Sequence, residues 1–234
     1  VDEGGKDAAH IHGTDGMGNL SRTLPEPGRE MRDARRSDDI IIEKLNAAPG
    51  EITLIAVGPL TNLAAAEEKA SGILAKAKEV VVMGGAFRHR GNITPRAEFN
   101  IYRDPEAARR VFASRDDIVV MPLDITEKVT FTTERAGAVV ETAPKSRIAR
   151  FMVDLCAFMA KTSMGYRSTE GIRGFHVHDA TTLAYLFYPE TLLLRRSKVR
   201  VETKGEWTRG QTEFDDRHVA KAGMNAWVAM QVDA

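Results

Sequence analysis

The sequence predicts an α/β fold class, with an open, mostly parallel twisted sheet and a few extra edge or ribbon strands. Three short apolar runs, Ile52–Val57, Val80–Met83 and Ile118–Leu123, are continuous rather than alternating, which is typical of strands buried on both faces. The segments between the runs carry hydrophobic residues at helical spacing. A chain of 234 residues is long enough for one such fold, and we predict a single domain over residues 1–234.

Each predicted helix has a local signal. A short helix is expected over Asp38–Leu45, ahead of the first apolar run. Asp104-Pro105-Glu106 supplies a capping residue, a proline at the first helical position and an early acidic residue, so a second helix is expected to begin there. Apolar residues at helical spacing predict two more helices, over Arg147–Thr162 and from His178-Asp179 to Leu186.

The two ends of the chain have a different character. Residues 1–36 show no hydrophobic period and are predicted to form loop. The short apolar stretches Lys198–Thr203 and Ala226–Val232 predict strands at the edge of the sheet or in an appended ribbon. The chain starts in a polar, glycine-rich run without methionine and ends without a closing helix. We therefore expect segments at both ends of a longer fold to be absent.

The composition favours a small-molecule partner. Lys+Arg and Asp+Glu both total 33, so there is no basic excess to attract nucleic acid or an anionic membrane. No run approaches the roughly eighteen apolar residues of a membrane span. The single cysteine, Cys156, rules out an internal disulfide and is typical of a reducing compartment, so a cytoplasmic location is expected. Cys156 is predicted to be a packed thiol on a helix.

Polar side chains concentrate after the second apolar run. Gly91-Asn92 is followed by Thr94–Asn100, which holds Glu98, Phe99 and Asn100 in succession. In an extended backbone Glu98 and Asn100 point to the same side. A carboxylate with carboxamides can satisfy the vicinal hydroxyls of a sugar, which both donate and accept hydrogen bonds. The loop therefore indicates a sugar site, with an ordinary polar loop as the alternative.

A second candidate site lies just ahead of the last predicted helix. Asp179 could cap that helix, or it could bind a metal ion while the neighbouring His178 donates a proton. The pairs His10/His12 and His176/His178 leave a zinc hydrolase as a further alternative. The sequence has no nucleophile elbow, phosphate loop or dinucleotide-binding glycine motif, which disfavours serine hydrolases, NTPases and dinucleotide enzymes.

These features occur in the order seen in the inosine-uridine preferring nucleoside hydrolase family, which the chain resembles between residues 10 and 232. The most specific block is Ala97–Ala107. The other matching motifs are His12-Gly13-x-Asp15-Gly16, Val57-Gly58-Pro59-Leu60-Thr61-Asn62, Met83-Gly84-Gly85, Gly91-Asn92-x-Thr94-Pro95 and His178-Asp179. The resemblance implies the Rossmann-like fold of that family and hydrolysis of a ribonucleoside to free base and ribose.

The resemblance also implies a cofactor and residue roles. A Ca²⁺ ion would hold a water at the anomeric carbon, and calcium prefers oxygen ligands. Asp179 and the Val57 carbonyl resemble calcium ligands, and His178 resembles the acid that protonates the leaving base. His12 resembles a second residue on the base side, and Phe99 would line the pocket. The residues that resemble ribose contacts are Met83, Asn92, Glu98 and Asn100. A homo-dimer or homo-tetramer is implied as well.

The sequence departs from the family pattern near its start. Family members begin with a strand ending in Asp-x-Asp-Pro-Gly-x-Asp-Asp, which supplies two metal ligands, a ribose ligand and the general base. That motif is absent, and the run holding Asp2 and Asp7 resembles it only faintly. We expect the first strand, its aspartate motif and the C-terminal helix to be missing, and calcium binding to be weakened. Base preference is not determined, although Tyr166 and His176 are candidate base contacts.

Three functions stay open from the sequence. The first is a nucleoside N-ribohydrolase, which should release reducing sugar from inosine and uridine with calcium. The second is a non-catalytic descendant or gene fragment that keeps a ribose pocket and binds ribose without hydrolysis. The third is a zinc-dependent amidohydrolase, which should contain stoichiometric zinc.

Overall fold

The computed structural model describes residues 9–25, 34–166, 169, 171–215, 217 and 222–233. Asp2 and Asp7 lie outside the described residues. The chain divides into two compact units. The first comprises Val1–Asp33 with Thr130–Val177, and the second comprises Ala34–Val129 with His178–Ala234. Each is described by itself, and the single domain over residues 1–234 stays a prediction.

The elements alternate along the chain as expected. The helices are α1 (Ala9–His12), α2 (Ser37–Ala47), α3 (Thr61–Lys69), α4 (Phe99–Arg103), α5 (Pro105–Ser114), α6 (Leu123–Thr126), α7 (Thr133–Thr142), α8 (Arg147–Tyr166) and α9 (Ala180–Phe187). The strands are β1 (Thr53–Ala56), β2 (Glu79–Met83), β3 (Ile118–Met121), β4 (Thr130–Thr132), β5 (Gly174–His176), β6 (Leu192–Ser197), β7 (Val199–Val201), β8 (Thr212–Phe214) and β9 (Ala226–Val232).

Most sequence-based element predictions are confirmed. The three apolar runs form β1, β2 and β3, and the four predicted helices are α2, α5, α8 and α9. The loop predicted for residues 1–36 is wrong at two short places in its described part, α1 and a 3₁₀ turn at Ser21–Thr23. Neither contains a buried residue, which explains why no hydrophobic period marks them.

The second unit is built on a five-stranded sheet in the order β1-β2-β3-β9-β6. The pairs β1–β2, β2–β3 and β3–β9 are parallel, and β6 runs antiparallel to β9. The mostly parallel α/β fold class is therefore confirmed. The expected edge position of Ala226–Val232 is wrong, because β9 lies between β3 and β6. The ribbon predicted near Lys198–Thr203 is present as the antiparallel pair β7–β8.

The core of this unit explains why the strand runs are continuous. Val80 and Val82 on β2 face a large apolar cluster formed with α2, α3 and α5, whereas Val81 faces a second cluster with Met121 and Ile125. Successive strand residues point to opposite faces, so a strand covered on both sides needs an apolar residue at every position. Burying each such side chain contributes about 1.5–3 kcal/mol.

The described residues of the first unit are mainly helical. β4 and β5 form a small antiparallel pair in which the rings of Phe131 and Phe175 meet edge to face, 6.1 Å apart. Cys156 on α8 is 1% exposed, and burial raises the pKa of its thiol, so it is a packed and unreactive side chain as predicted. In the described part of the chain, no helix is long and apolar enough to cross a membrane.

Candidate active site

The carboxyl ends of β1, β2 and β3 meet at one edge of the sheet in the second unit. Ala56 lies opposite Val82, and Met83 lies opposite Met121. Val57 therefore follows β1 at the level of Met83. Ligands of open parallel sheets bind outside the carboxyl ends of the strands. Val57 is exposed and Met83 is buried at this edge, so two of the residues selected from the sequence share the location expected of a site.

Glu98 is the most tightly held polar side chain at this edge. It is 2% exposed and precedes α4 as its capping residue. Its Oε1 accepts from the Asn100 N–H at 2.8 Å, and its Oε2 accepts from the N–H groups of Gly85 at 3.0 Å and Ile101 at 3.1 Å. The extended backbone expected through Asn100 is wrong, because α4 begins at Phe99. The three N–H donors therefore hold the Glu98 carboxylate in one position.

Glu98 and Asp179 are two carboxyl groups close enough to influence each other, and together they define the negatively charged corner of the site. Burial raises the pKa of Glu98, and the charge of Asp179 raises it further, while the N–H donors of Asn100, Gly85 and Ile101 oppose the rise. Asp179 is exposed, so solvent supports its charge. Two carboxylates near each other stabilise a cation, or positive charge that develops on a bound substrate.

The other predicted ribose contacts surround Glu98. The Asn100 amide donates to the Met83 carbonyl at 3.1 Å and lies 3.4 Å from its sulfur. Asn92 Oδ1 accepts from the Phe99 N–H at 2.8 Å, which fixes the loop against the start of α4. The structure therefore brings together Met83, Asn92, Glu98, Phe99 and Asn100. In this arrangement Asn92 and Asn100 each already have a partner within the protein.

His178 and Asp179 precede α9 in the same unit. His178 is half-buried, and its Nδ1 lies 2.8 Å from the Thr126 hydroxyl. The Asp179 side chain makes no capping hydrogen bond to α9. The capping role considered for Asp179 is therefore wrong. Thr126 was not selected from the sequence, although its position just after the third apolar run was the signal that could have identified it.

The remaining candidates lie in the first unit. His12 is exposed at the end of α1, and His176 on β5 has its Nδ1 3.4 Å from the Thr130 hydroxyl. Tyr166 ends α8. An open groove in this unit is lined by His10, Phe158, Lys161, Thr162 and Gly165. The base-side role of His12 and the candidate base contacts Tyr166 and His176 stay predictions.

The chain matches the family model described as inosine-uridine preferring nucleoside hydrolase over residues 2–234. The chain belongs to this nucleoside hydrolase family. The resemblance stated from the sequence motifs is therefore confirmed.

Proteins with similar sequences carry names that agree with this family membership. Probable uridine nucleosidase 2 of Oryza sativa subsp. japonica is 38% identical over 215 residues, which are 91% of this chain and 61% of the relative. Pyrimidine-specific ribonucleoside hydrolase RihB of Escherichia coli O157:H7 is 36% identical over 233 residues, covering 97% and 70%. The chain thus spans less than two thirds of the length of the rice relative.

Solved structures give the same fold. A plant nucleoside hydrolase superposes with a TM-score of 0.84 at 32% identity, covering 100% of this chain and 72% of the other. A purine-preferring ribonucleoside hydrolase from Gardnerella vaginalis superposes with a TM-score of 0.85 at 28% identity, covering 96% and 69%.

The oxygen atoms at this site are of the type that calcium prefers, but they are too few to bind the ion. The Val57 carbonyl and the Asp179 carboxylate offer oxygen atoms, whereas the Glu98 oxygens already accept three N–H groups. Calcium takes about six to eight oxygen ligands. Across the described ranges, no group of three or more His, Cys, Asp or Glu side chains could hold a metal ion. These residues do not complete a calcium site, and the same finding gives the zinc alternative no support.

The loop that follows His12 is held by Asp15. Its carboxylate accepts from the N–H groups of Met17 and Asn19 at 2.8 Å and Ser21 at 2.9 Å. These bonds, that of Ser21 first, hold the pKa of Asp15 well below its usual range. A lowered pKa means that the loop gains stability above the ordinary value of 3.8 and loses it as pH falls through the folded value.

Replacing Asp15 with alanine is therefore expected to open this loop. The amides of Met17, Asn19 and Ser21 should exchange with solvent faster at neutral pH, because their acceptor is gone. Hydrogen exchange followed by NMR measures this, with the amides of α8 as the internal reference. Unchanged protection of all three amides would show that Asp15 does not hold the loop.

Proposed function

We propose that the protein hydrolyses the N-glycosidic bond of a ribonucleoside, giving free base and ribose. The observation that supports the proposal most is the immobile Glu98 carboxylate, packed beside Asn100 and Met83 at the carboxyl ends of parallel strands. Asp179 contributes a second negative charge close enough to influence Glu98. Family membership and the names of the relatives point to the same reaction.

The chemistry assigned to these residues follows from charge and hydrogen bonding. Asn92, Asn100 and Met83 contact the ribose, and Phe99 lines its pocket. As the bond from the anomeric carbon to the base nitrogen breaks, positive charge develops on the ribose. A fixed carboxylate needs no reorganisation to stabilise that charge, which is the role we assign to Glu98.

The bond from the anomeric carbon to the base nitrogen breaks and the base gains a proton, while water forms the new bond to the anomeric carbon and loses a proton to solvent. His178 delivers that proton to the base nitrogen, because imidazole titrates near neutrality. His12 is proposed as a second residue on the base side. Asp179 and the Val57 carbonyl are proposed as two of the ligands of a Ca²⁺ ion. A homo-oligomer and a cytoplasmic location are proposed as well.

Turnover tests this function directly. We expect the complete protein encoded by the gene to release reducing sugar from uridine and inosine when Ca²⁺ is present. Uridine is the first choice, because the named curated relatives are uridine or pyrimidine hydrolases. Removing calcium with a chelator should lower the rate, and added Ca²⁺ should restore it.

Two outcomes would contradict the proposal in different ways. Ribose binding by calorimetry without release of base would favour the non-catalytic ribose-binding alternative. Full turnover in the chelator would remove calcium from the proposal but leave the reaction intact. Sedimentation of the same preparation tests the proposed oligomer.

A further inference from the structure

The β7–β8 ribbon packs on the backbone that surrounds Glu98. A Cβ atom at Gly210, just ahead of β8, would lie 2.8 Å from the Tyr102 Cα, so the ribbon runs directly against α4, the helix that Glu98 caps. The next residue, Gln211, forms an antiparallel bridge with Ala97, which directly precedes Glu98. The ribbon therefore supports the backbone on both sides of this carboxylate.

Thr212, the first residue of β8, contacts the loop that follows β2. It is 2% exposed. Its hydroxyl accepts from the Ala86 N–H at 3.0 Å and donates to the Ala86 carbonyl at 3.1 Å. Ala86 is itself buried, and buried backbone groups need hydrogen-bond partners. One side chain thus binds both polar backbone groups of a loop residue, as a paired strand would.

The bonds to Ala86 affect Gly85, whose N–H donates to Glu98 Oε2 at 3.0 Å. Gly85 has a φ of +86°, which glycine adopts readily, and a Cβ atom there would lie 2.9 Å from the Thr212 hydroxyl oxygen. The peptide group between Gly85 and Ala86 is planar. Holding the Ala86 N–H therefore restricts the Gly85 backbone, and with it the direction in which the Gly85 N–H points.

We propose that Thr212 is a positioning residue that keeps the Gly85 N–H directed at the Glu98 carboxylate, so that Glu98 is in place when positive charge develops on the ribose. The inference rests on the proposed function, in which Glu98 stabilises that charge. The Thr212 hydroxyl makes both of these bonds to Ala86, so it acts on the site through the backbone rather than through the substrate.

Turnover of uridine by the complete protein tests the proposal through separate effects on kcat and KM. Thr212→Val keeps the shape of the side chain but removes the hydroxyl that holds Ala86. We expect kcat to fall about 10-fold, less than the roughly 10²–10³ that follows direct removal of a stabilising group. KM should stay within about twofold, because Asn92 and Asn100 keep their partners. Thr212→Ser keeps the hydroxyl and should restore most of kcat.

Thr203→Val is the matched control for damage to the ribbon. Thr203 lies between the two ribbon strands and is also buried, but its hydroxyl accepts from Arg109 on α5, 3.4 Å away. Both kcat and KM should match the wild type. The positioning role would be overturned by an equal fall of kcat in Thr203→Val, by an unchanged kcat in Thr212→Val, or by a loss that Thr212→Ser does not restore.

Hydrogen exchange followed by NMR tests the same contact without turnover. The Gly85 N–H keeps its Glu98 acceptor in Thr212→Val, so faster exchange of this amide reports that the bond has lost its alignment. We expect exchange at least about 10-fold faster in Thr212→Val and close to the wild-type rate in Thr212→Ser. The Val120 amide of β3 is the internal reference and should not change. An unchanged Gly85 rate would contradict the proposal.

A further variant and the wild type complete the design. Thr212→Ala removes the same hydroxyl without placing a methyl group against the polar atoms of Ala86. It takes the place of Thr212→Val in both measurements if that variant does not fold, and the same outcomes decide. If the wild type hydrolyses neither uridine nor inosine, the proposed function fails, and the Gly85 exchange rates still decide whether Thr212 positions the donor to Glu98.

Discussion

Replacing Glu98 with alanine is expected to lower the free energy of unfolding by at least about 3 kcal/mol. The substitution removes the shared acceptor of the Gly85, Asn100 and Ile101 N–H groups, and all of these residues are buried. A buried donor without a partner costs about 1–3 kcal/mol, so three of them account for the loss. Urea unfolding at neutral pH measures it.

The matched control is Glu106→Ala. Glu106 forms a bidentate pair with Arg209, but its side chain is 51% exposed, and exposed pairs contribute about 0–1 kcal/mol. Glu98→Gln should fall between the two alanine variants, because the amide oxygen still accepts while the amide nitrogen faces a donor. A loss below about 1 kcal/mol in Glu98→Ala would show that solvent satisfies these donors.

Glu98 also shows how much of the site could be predicted from the sequence. The Ala97–Asn100 block identified Glu98 as a site residue, but its geometry was predicted as extended. Glutamate is not among the preferred helix-capping residues, so local propensity pointed away from a helix starting at Phe99. The cap forms because Glu98 also reaches Gly85, 13 positions earlier, and that long-range contact leaves no local signal.

Strand order was likewise less predictable than strand identity. β1 to β3 were found because burial on both faces produces uninterrupted apolar runs. β9 carries the exposed Trp227 among buried neighbours, a pattern that suits an edge strand. Its parallel pairing places Ala226 opposite Ile118, and nothing in either segment encodes that partner. The edge strand β6 contains Arg195 and Arg196, and the sequence did not predict it.

The contact between Thr126 and His178 could not be predicted from the sequence either, because it joins two residues that are far apart in the chain. A threonine after a buried strand is common, and its partner lies 52 residues later. What the sequence did supply was the list of side chains at the strand ends, since chemistry in parallel sheets concentrates there. The structure shows which of these side chains are held in place and which hydrogen bonds hold them.

Asp179 and Asp104 are expected to have opposite roles, Asp179 in the reaction and Asp104 in the stability of the fold. Both precede helices, but Asp104 caps α5 through the Ala107 N–H at 3.0 Å, whereas the Asp179 side chain makes no capping bond to α9. Asp179→Asn is expected to leave the free energy of unfolding within about 0.5 kcal/mol of the wild type. Its turnover of uridine should fall at least about 10²-fold, because the site loses a fixed negative charge beside the developing positive charge.

The control variant should behave in the opposite way. Asp104→Ala is expected to cost about 0.5–2 kcal/mol of stability through the lost cap while uridine turnover is retained. Calorimetric titration with Ca²⁺ adds a measurement that does not depend on turnover, and Asp179→Asn should bind calcium more weakly than Asp104→Ala does. If Asp179→Asn unfolds more easily but keeps its rate and its calcium affinity, Asp179 is a structural residue and the negatively charged corner must be assigned to Glu98 alone. If instead rate and calcium affinity fall together at constant stability, the exposed carboxylate ahead of α9 serves the ligand rather than the helix.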